Sequence, residues 1–156
     1  MRPIKPGLMP HTVTLYNVFK SPVSGHLAYF RTYLRQTRII SSSSAVNVAT
    51  IGWTRAVTTR LLVDPATTLA YRHGTNNIKI QKKHIESSAW NALPEIDKDK
   101  HWTLNEGDYI VQLENNKECL AISVDDMQAT NPRKIHSIES VLNKNGTLHH
   151  WELHLD

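Results

Sequence analysis

Three histidines and one glutamate lie within residues 149–154, and their side chains are of the types that bind zinc. The same stretch alternates polar and apolar residues as a strand does, which puts His150, Glu152 and His154 on one face and Trp151 on the other. Neighbours on that face lie about 6.5 Å apart and diverge. The order H-x-E-x-H also differs from the helical H-E-x-x-H of metalloproteases. We therefore predict a strand whose polar face meets solvent or another subunit, and no metal or other cofactor; a metal-dependent hydrolase is the alternative.

Other catalytic patterns are absent from the sequence. The single cysteine, Cys119, follows a charged loop without a local signature of a nucleophile, and it excludes an internal disulfide framework. The six glycines are scattered and form no phosphate-binding or nucleophile-elbow motif. We predict that the protein is not an enzyme.

A basic and aromatic pattern offers a second kind of chemistry. Tyr29, Arg31, Tyr33 and Arg35 alternate along a predicted strand and would share one face. Proteins that bind single-stranded nucleic acid combine stacking rings with cations in this way. An ordinary solvated strand face has the same composition, and no RNA-binding signature accompanies it. A small nucleic-acid-binding β-barrel therefore stays an alternative to the function developed below.

Charge is divided unequally along the chain. Residues 1–60 hold eight lysines and arginines and no acidic residue, whereas residues 61–156 hold ten basic and fourteen acidic residues. The two parts therefore carry +8 and −4. Such a division suits an electropositive surface for a polyanion, or opposite ends that attract in a head-to-tail ring. A moderately basic surface without a specific partner is the remaining interpretation.

The elements predicted around these residues are mostly strands. The chain of 156 residues suffices for one domain, and we expect an extended proline-rich arm at 1–10 followed by a single β domain at 11–156. Alternating, β-branched stretches predict its strands, and Lys144–Gly146 predict a hairpin turn before the last one. No apolar run is long enough for a membrane helix. The fold class expected is mainly β, a small antiparallel barrel or sandwich with long loops and one short helix.

Two segments depart from the strand pattern. Residues 41–55 are serine-rich and without a clear period, which predicts a long functional loop. Residues 84–95 place Ile85, Trp90 and Leu93 at helical spacing, and Pro94 ends the predicted helix.

Three segments resemble, in this order along the chain, the small minor capsid proteins of tailed phages that infect Gram-positive bacteria. They are "MPHTVTLYNV" (residues 9–18), "WNALPEIDKDKHWTLNEGDYIV" (residues 90–111) and the closing "HHWELHLD". Such proteins belong to the head-tail connector in the phage neck and resemble its head-completion or stopper component. An adaptor or a tail terminator, which are neighbouring neck components, are the alternatives within this resemblance.

The resemblance implies a structural protein of the virion neck, assembled in the host cytoplasm. It implies a homo-oligomeric ring, with a hexamer favoured, that closes the DNA channel after packaging and provides a docking surface for the tail. Portal or adaptor proteins would lie on its head side, tail proteins on the other, and double-stranded DNA in the channel would be contacted without sequence specificity. No membrane contact is expected.

The resemblance also assigns roles to residues. The loop after the second strand projects into the channel in such proteins, so the candidate channel residues are Ser41, Ser42, Ser43, Ser44, Asn47, Thr50, Gly52 and Trp53. Arginines near that loop could contact DNA phosphates without reading sequence: Arg38, Arg55 and Arg60. The candidate subunit interface combines the arm with the polar face of the last strand: Arg2, Lys5, His150, Glu152 and His154.

Overall fold

The computed structural model describes residues 4–48, 52–116 and 132–156. Within these ranges, ten strands, two α-helices and two 3-10 turns follow one another. The strands are β1 (His11–Lys20), β2 (Leu27–Val48), β3 (Gly52–Val63), β4 (Leu69–His73), β5 (Lys79–Gln81), β6 (Lys83–His84), β7 (His101–Trp102), β8 (Tyr109–Gln112), β9 (Arg133–Leu142) and β10 (Leu148–Leu155). The helices are α1 (Ser87–Ala92) and α2 (Glu95–Lys98), and the 3-10 turns are Pro6–Leu8 and Thr75–Asn77.

Six of the strands form a closed antiparallel barrel. Their order is β1-β8-β9-β10-β3-β2, and β2 pairs with β1 to complete the circle. Strands β4 and β5 extend the sheet from one side of β2, and β6 and β7 form a separate parallel pair. The mainly β prediction is confirmed, and of the two architectures expected the protein has the barrel.

The inner face of the barrel is filled by alternate residues of its strands. Val13, Leu34, Leu61 and Leu153 are fully buried in one apolar cluster, which also includes Ile135. In β10 the partly buried Trp151 and Leu155 pack against this cluster beside Leu153. The alternation predicted for the last strand is therefore confirmed on its apolar side, because a period of two directs every second side chain to the core.

A polar network fastens β1 to the segment before β8. The side-chain amide of Asn17 donates to Asp108 Oδ2 at 2.6 Å and to the Thr103 carbonyl at 2.8 Å. The backbone N–H of Val18 donates to Asp108 Oδ1 at 2.9 Å. Burial, opposed by these hydrogen bonds, raises the pKa of Asp108 to about 6. Burying a carboxyl group costs free energy, and here the neighbouring donors satisfy its oxygen atoms with hydrogen bonds.

The helical segment is shorter and more broken than expected. Helix α1 spans Ser87–Ala92, and Pro94 precedes a second helix, α2, that was not predicted. Trp90, one of the apolar positions of the expected helix, is fully buried and meets Phe30 edge-on at a centroid distance of 5.7 Å. The buried Lys98 amine lies 4.4 Å from the Trp90 ring and donates to the backbone carbonyls of Trp90 and Asn91. Tertiary packing therefore holds two helices that are too short to be stable alone.

From residue 4 onward, the amino-terminal segment packs against the β domain of the same chain. The Ile4 N–H donates to Asp64 Oδ2 at 2.9 Å, and the Thr67 hydroxyl donates to the Ile4 carbonyl at the same distance. A 3-10 turn follows, and Met9 is 1% exposed. An extended arm was expected at 1–10, whereas the described part of it contains a 3-10 turn and contacts the same chain through the Ile4 backbone and the Met9 side chain.

The turn between β9 and β10 has the predicted position. The Asn143 N–H donates to the Thr147 carbonyl at 2.7 Å, and Gly146 adopts a φ of +82°, which favours glycine. Cys119 lies outside the described residues. In the described part of the chain, no helix has the length and apolar character needed to span a bilayer.

Candidate functional site

The most prominent feature outside the barrel is the distal part of the β2–β3 hairpin. Strand β10 pairs with β3 only from Val63 to Thr59. Beyond that point residues 52–58 of β3 pair with residues 42–48 of β2, and within the described chain no third strand joins them. We call these two arms the ribbon. Seven residue pairs at roughly 3.3 Å each give it a length of about 23 Å.

The described candidate channel residues lie on this hairpin, and the expectation of a long loop at 41–55 is wrong over most of its length. Residues 41–48 continue β2 and residues 52–55 begin β3, in register from Arg38↔Leu62 to Val48↔Gly52. The backbone pairing between β2 and β3 that starts in the barrel continues through these residues, although their small side chains show no hydrophobic period. Ser41, Ser42, Ser43, Ser44 and Asn47 belong to β2, Gly52 and Trp53 to β3, and Thr50 lies outside the described residues.

Hydroxyl pairs mark the base of the ribbon. Ser42 and Thr58 are opposite one another with their hydroxyl oxygens 2.7 Å apart, and those of Ser41 and Thr59 are 3.4 Å apart. Residues 41–58 contain one charged residue, Arg55, and no acidic one. The ribbon is therefore a nearly uncharged element with open edges, which single domains usually protect.

The three arginines proposed for DNA contact differ in surroundings. Arg38 is exposed on β2. Arg60 lies on the same face of β3, since it pairs with Ile40, and its guanidinium is 2.7 Å from Glu152 Oε2. Arg55 pairs through its backbone with Ala45. Of Arg38 and Arg60, Arg38 presents the charge that is open to a phosphate, because that of Arg60 is already opposed by a carboxylate.

The polar face of β10 forms an ion-pair network with its neighbours. His150 Nε2 is 3.3 Å from Glu152 Oε1, and His154 Nε2 is 3.7 Å from Glu139 Oε2 on β9. Glu139 stands opposite Glu152 in the ladder, so the ligand-type atoms of Glu139, Glu152 and His154 lie within 4.8 Å of one another. Residues of one strand that we expected to diverge are thus brought together with a carboxylate from the next strand.

Arg60 decides how this cluster is interpreted. Burial raises the pKa of Glu152, but the hydrogen bond from His150 and the charge of Arg60 outweigh it and leave that pKa below its usual value. A guanidinium at 2.7 Å already supplies the positive charge that a metal would bring and repels a second cation. The contacts present therefore account for the cluster as ion pairs between strands.

The candidate interface residues are not equally accessible. His150 is only 8% exposed, and it also contacts His149, with their Nδ1 atoms 2.7 Å apart. His154 and Glu152 are partly exposed, Lys5 is exposed, and Arg2 lies outside the described residues. The structure leaves His154 and Lys5 as the more accessible members of that set.

The basic and aromatic face of β2 is partly closed. Tyr33 is 2% exposed, and its ring lies 5.5 Å from that of Tyr71 and 5.1 Å from that of His73. Arg31 and the Tyr33 hydroxyl both donate to the Asn115 carbonyl, at 3.1 and 2.9 Å. A ring enclosed in this way offers no open surface for a base to stack on.

A cavity of about 320 Å³ beside this face was not predicted. It lies between the first residues of β2, the end of β4 and helix α2, and its walls include Arg31, Arg72, His73, Glu95 and Asp99. Beneath it, the buried Lys82 amine donates to the Thr32 hydroxyl at 2.7 Å. These charged residues are far apart in sequence, and the adjacent Arg72 and His73 are the only neighbours among them, so no local spacing pointed to the cavity.

Comparison with known proteins identifies the family of this chain but does not indicate its function. A family model described as a family of unknown function (DUF6751) matches residues 8–154. The chain belongs to this family. No curated protein and no solved structure matches it. The match includes nearly all of the barrel, with only the last residue of β10 beyond it, and both arms of the ribbon.

Proposed function

We propose that the protein is a structural component of the neck of a tailed phage, a stopper that assembles as a ring and closes the DNA channel with its ribbon. The observation that carries this proposal is the ribbon itself. It leaves the barrel between the second and third strands, which is where the phage proteins that this chain resembles project their channel loop.

The physical properties of the ribbon support such a role. A two-stranded hairpin alone is marginally stable in water, and open strand edges favour pairing with another chain. In a ring of copies, each ribbon could lie against its neighbours around a common axis. Such contacts would stabilise the hairpin and cover its open edges. With a single charge in residues 41–58, the ribbon would block DNA without binding it tightly, and so could be displaced when DNA leaves.

The charge distribution along the chain also supports assembly into a ring. The basic residues 1–60 and the net acidic remainder of each chain could attract one another between neighbours in a head-to-tail ring. The exposed Arg38, at the base of the ribbon, would then lie near the channel and contact phosphates without sequence preference.

The test replaces residues 42–58 by a two-residue Asn-Gly turn in the phage that encodes this chain. Ser41 and Thr59 are paired, so a short turn can join them without changing the barrel. We expect heads that assemble and package DNA but lose it to an added nuclease. Thr58→Ala, which keeps the ribbon, is the control and should retain DNA like the wild type.

Three results would contradict the proposal in different ways. Purified particles that lack the protein would exclude a neck role altogether. Full DNA retention by the shortened variant would exclude a plug made by the ribbon. Particles that retain DNA but lose their tails would favour a tail terminator or an adaptor.

A further inference from the structure

The cavity beneath β2 and β4 holds more positive charge than its partners neutralise. Arg72 Nε lies 3.4 Å from Asp99 Oδ2, and Lys82 Nζ lies 3.8 Å from Asp99 Oδ1. Two cations therefore share one carboxylate. Arg31, on the same wall, donates to the backbone carbonyl of Asn115, which carries no charge to oppose the guanidinium.

The pKa of Lys82 reflects the same excess of positive charge. Its side chain is fully shielded from solvent, and burial lowers its pKa to about 8 despite the attraction of Asp99. Arg72 and Arg31 act in the same direction as burial, because their positive charges disfavour a third one nearby. An anion in the cavity would relieve this repulsion.

Two nitrogen atoms at the cavity lack hydrogen-bond partners. Arg72 Nε and His73 Nδ1 are shielded from bulk water, and neither forms a hydrogen bond in the described part of the chain, although the Asp99 carboxylate lies 3.4 Å from Arg72 Nε. Buried polar atoms are nearly always satisfied, so His73 Nδ1 and the incompletely satisfied Arg72 indicate that a further polar group belongs beside them. Glu95 is on the α2 side of the cavity and would repel an anion placed close to it.

We propose that this cavity binds a phosphate group through Arg31 and Arg72. Guanidinium groups bind phosphate oxygens in a bidentate manner, and the buried Lys82 adds a positive field from below. Three cations at the cavity, Arg31, Arg72 and Lys82, outnumber the two carboxylates there, Glu95 and Asp99, so a negatively charged ligand is favoured. The proposal does not depend on the role in a phage neck.

The phosphate could come from a free small molecule or from a DNA backbone, and one experiment covers both. Inorganic phosphate is titrated into the full chain at constant ionic strength, with binding followed by calorimetry. We expect saturable binding that Arg72→Gln and Arg31→Gln each weaken roughly tenfold or more, because each variant removes a charged donor. Glu95→Gln should tighten binding, since it removes a repelling charge.

Arg35→Gln is the matched control, because Arg35 is an exposed arginine of the same strand outside the cavity. No saturable binding of phosphate would overturn the proposal, and so would equal weakening by Arg35→Gln or tighter binding of acetate than of phosphate. Competition by a short DNA duplex would identify the backbone as the source, and its failure would identify a free phosphate-bearing molecule. Melting curves of all variants confirm that each one is folded.

Discussion

Strands β2 and β3 pass through two regions of this molecule that differ in almost every physical respect. In the barrel they carry Leu34 and Leu61, both fully buried, and β3 has β10 as its second neighbour. In the ribbon the same strands pair only with each other among the residues that the structure describes, and Ser42 and Thr58 at its base are exposed. The backbone pairing is continuous across the boundary, so hydrogen bonding alone does not separate the two regions.

What separates them is burial. Removing apolar area from water is the dominant favourable term in folding, and among the side chains whose burial is described the barrel does this on both strands. The barrel is therefore expected to determine the stability of the protein, whereas the ribbon contributes little to stability and is available for contacts with other molecules. Four predictions test this division.

The largest effect is expected in the barrel core. Leu153 is completely buried on β10, so Leu153→Ala should lower the free energy of unfolding by about 3 kcal/mol through lost burial and a residual cavity. Leu142→Ala on β9, where the side chain is 56% exposed, is the control and should change it by less than about 0.5 kcal/mol. Urea denaturation measures both, and similar values for the two variants would contradict the division.

The buried carboxyl at Asp108 should make the barrel sensitive to pH. Its pKa is raised from 3.8 to about 6, so between these values the folded state binds more protons than the unfolded state. Stability from this group is therefore present at low pH and falls as pH rises through that window, by up to about 3 kcal/mol. Asp108→Asn removes the titration.

The pH effect is measured as the difference in unfolding free energy between wild type and Asp108→Asn at several values from pH 4 to pH 7. This difference cancels contributions of other groups that titrate in the same range. A difference that grows in favour of the wild type as pH rises would show that the carboxyl is stabilised as the anion, and the prediction would be wrong.

A smaller effect is expected at the ion pairs on the outside of the barrel. Glu152→Gln removes the partner of Arg60, and because Arg60 is 37% exposed solvent screening limits the loss to about 1 kcal/mol. Glu139→Gln should cost less, since that side chain is 65% exposed. The loss at Glu152 should shrink in high salt, and a loss independent of salt would point to packing instead of charge.

The smallest effect is expected for the ribbon. Replacing residues 42–58 by an Asn-Gly turn should change the free energy of unfolding by less than about 1 kcal/mol, because a two-stranded hairpin adds little stability. The same urea titration measures it. A loss as large as that of Leu153→Ala would mean that the ribbon is part of the folding unit, and the two regions would have to be treated as one.

Local patterns predicted the parts of the fold that local forces decide. The alternation in β10 placed Leu153 in the core, and Gly146 marked the turn before it, since a positive φ favours glycine. Trp90 was placed on a helix by its spacing from Leu93, and it lies buried in α1. The ribbon was missed because serine and alanine have no hydrophobic period, and its strands form by continuing a ladder that begins in the barrel.

The candidate sites depended on contacts between distant residues. Glu139 joins Glu152 and His154 only because β9 and β10 pair in one register, and Lys82 meets Asp99 only after the sheet and α2 pack together. Such neighbours leave no spacing in the sequence that could be recognised. Arg60 shows the consequence, since we proposed it for DNA contact and it forms an ion pair with Glu152.

By itself, then, the sequence determined a mainly β protein with an amphipathic last strand, a basic first part and a net acidic remainder, because periodicity and charge are local or additive properties. Only the tertiary structure decided that the strands close into a barrel and that the serine-rich segment extends beyond it as a ribbon. It also decided which charges face each other around Asp99 and Glu152. Closure, register and charge pairing depend on which distant residues become neighbours, and that is settled when the core packs.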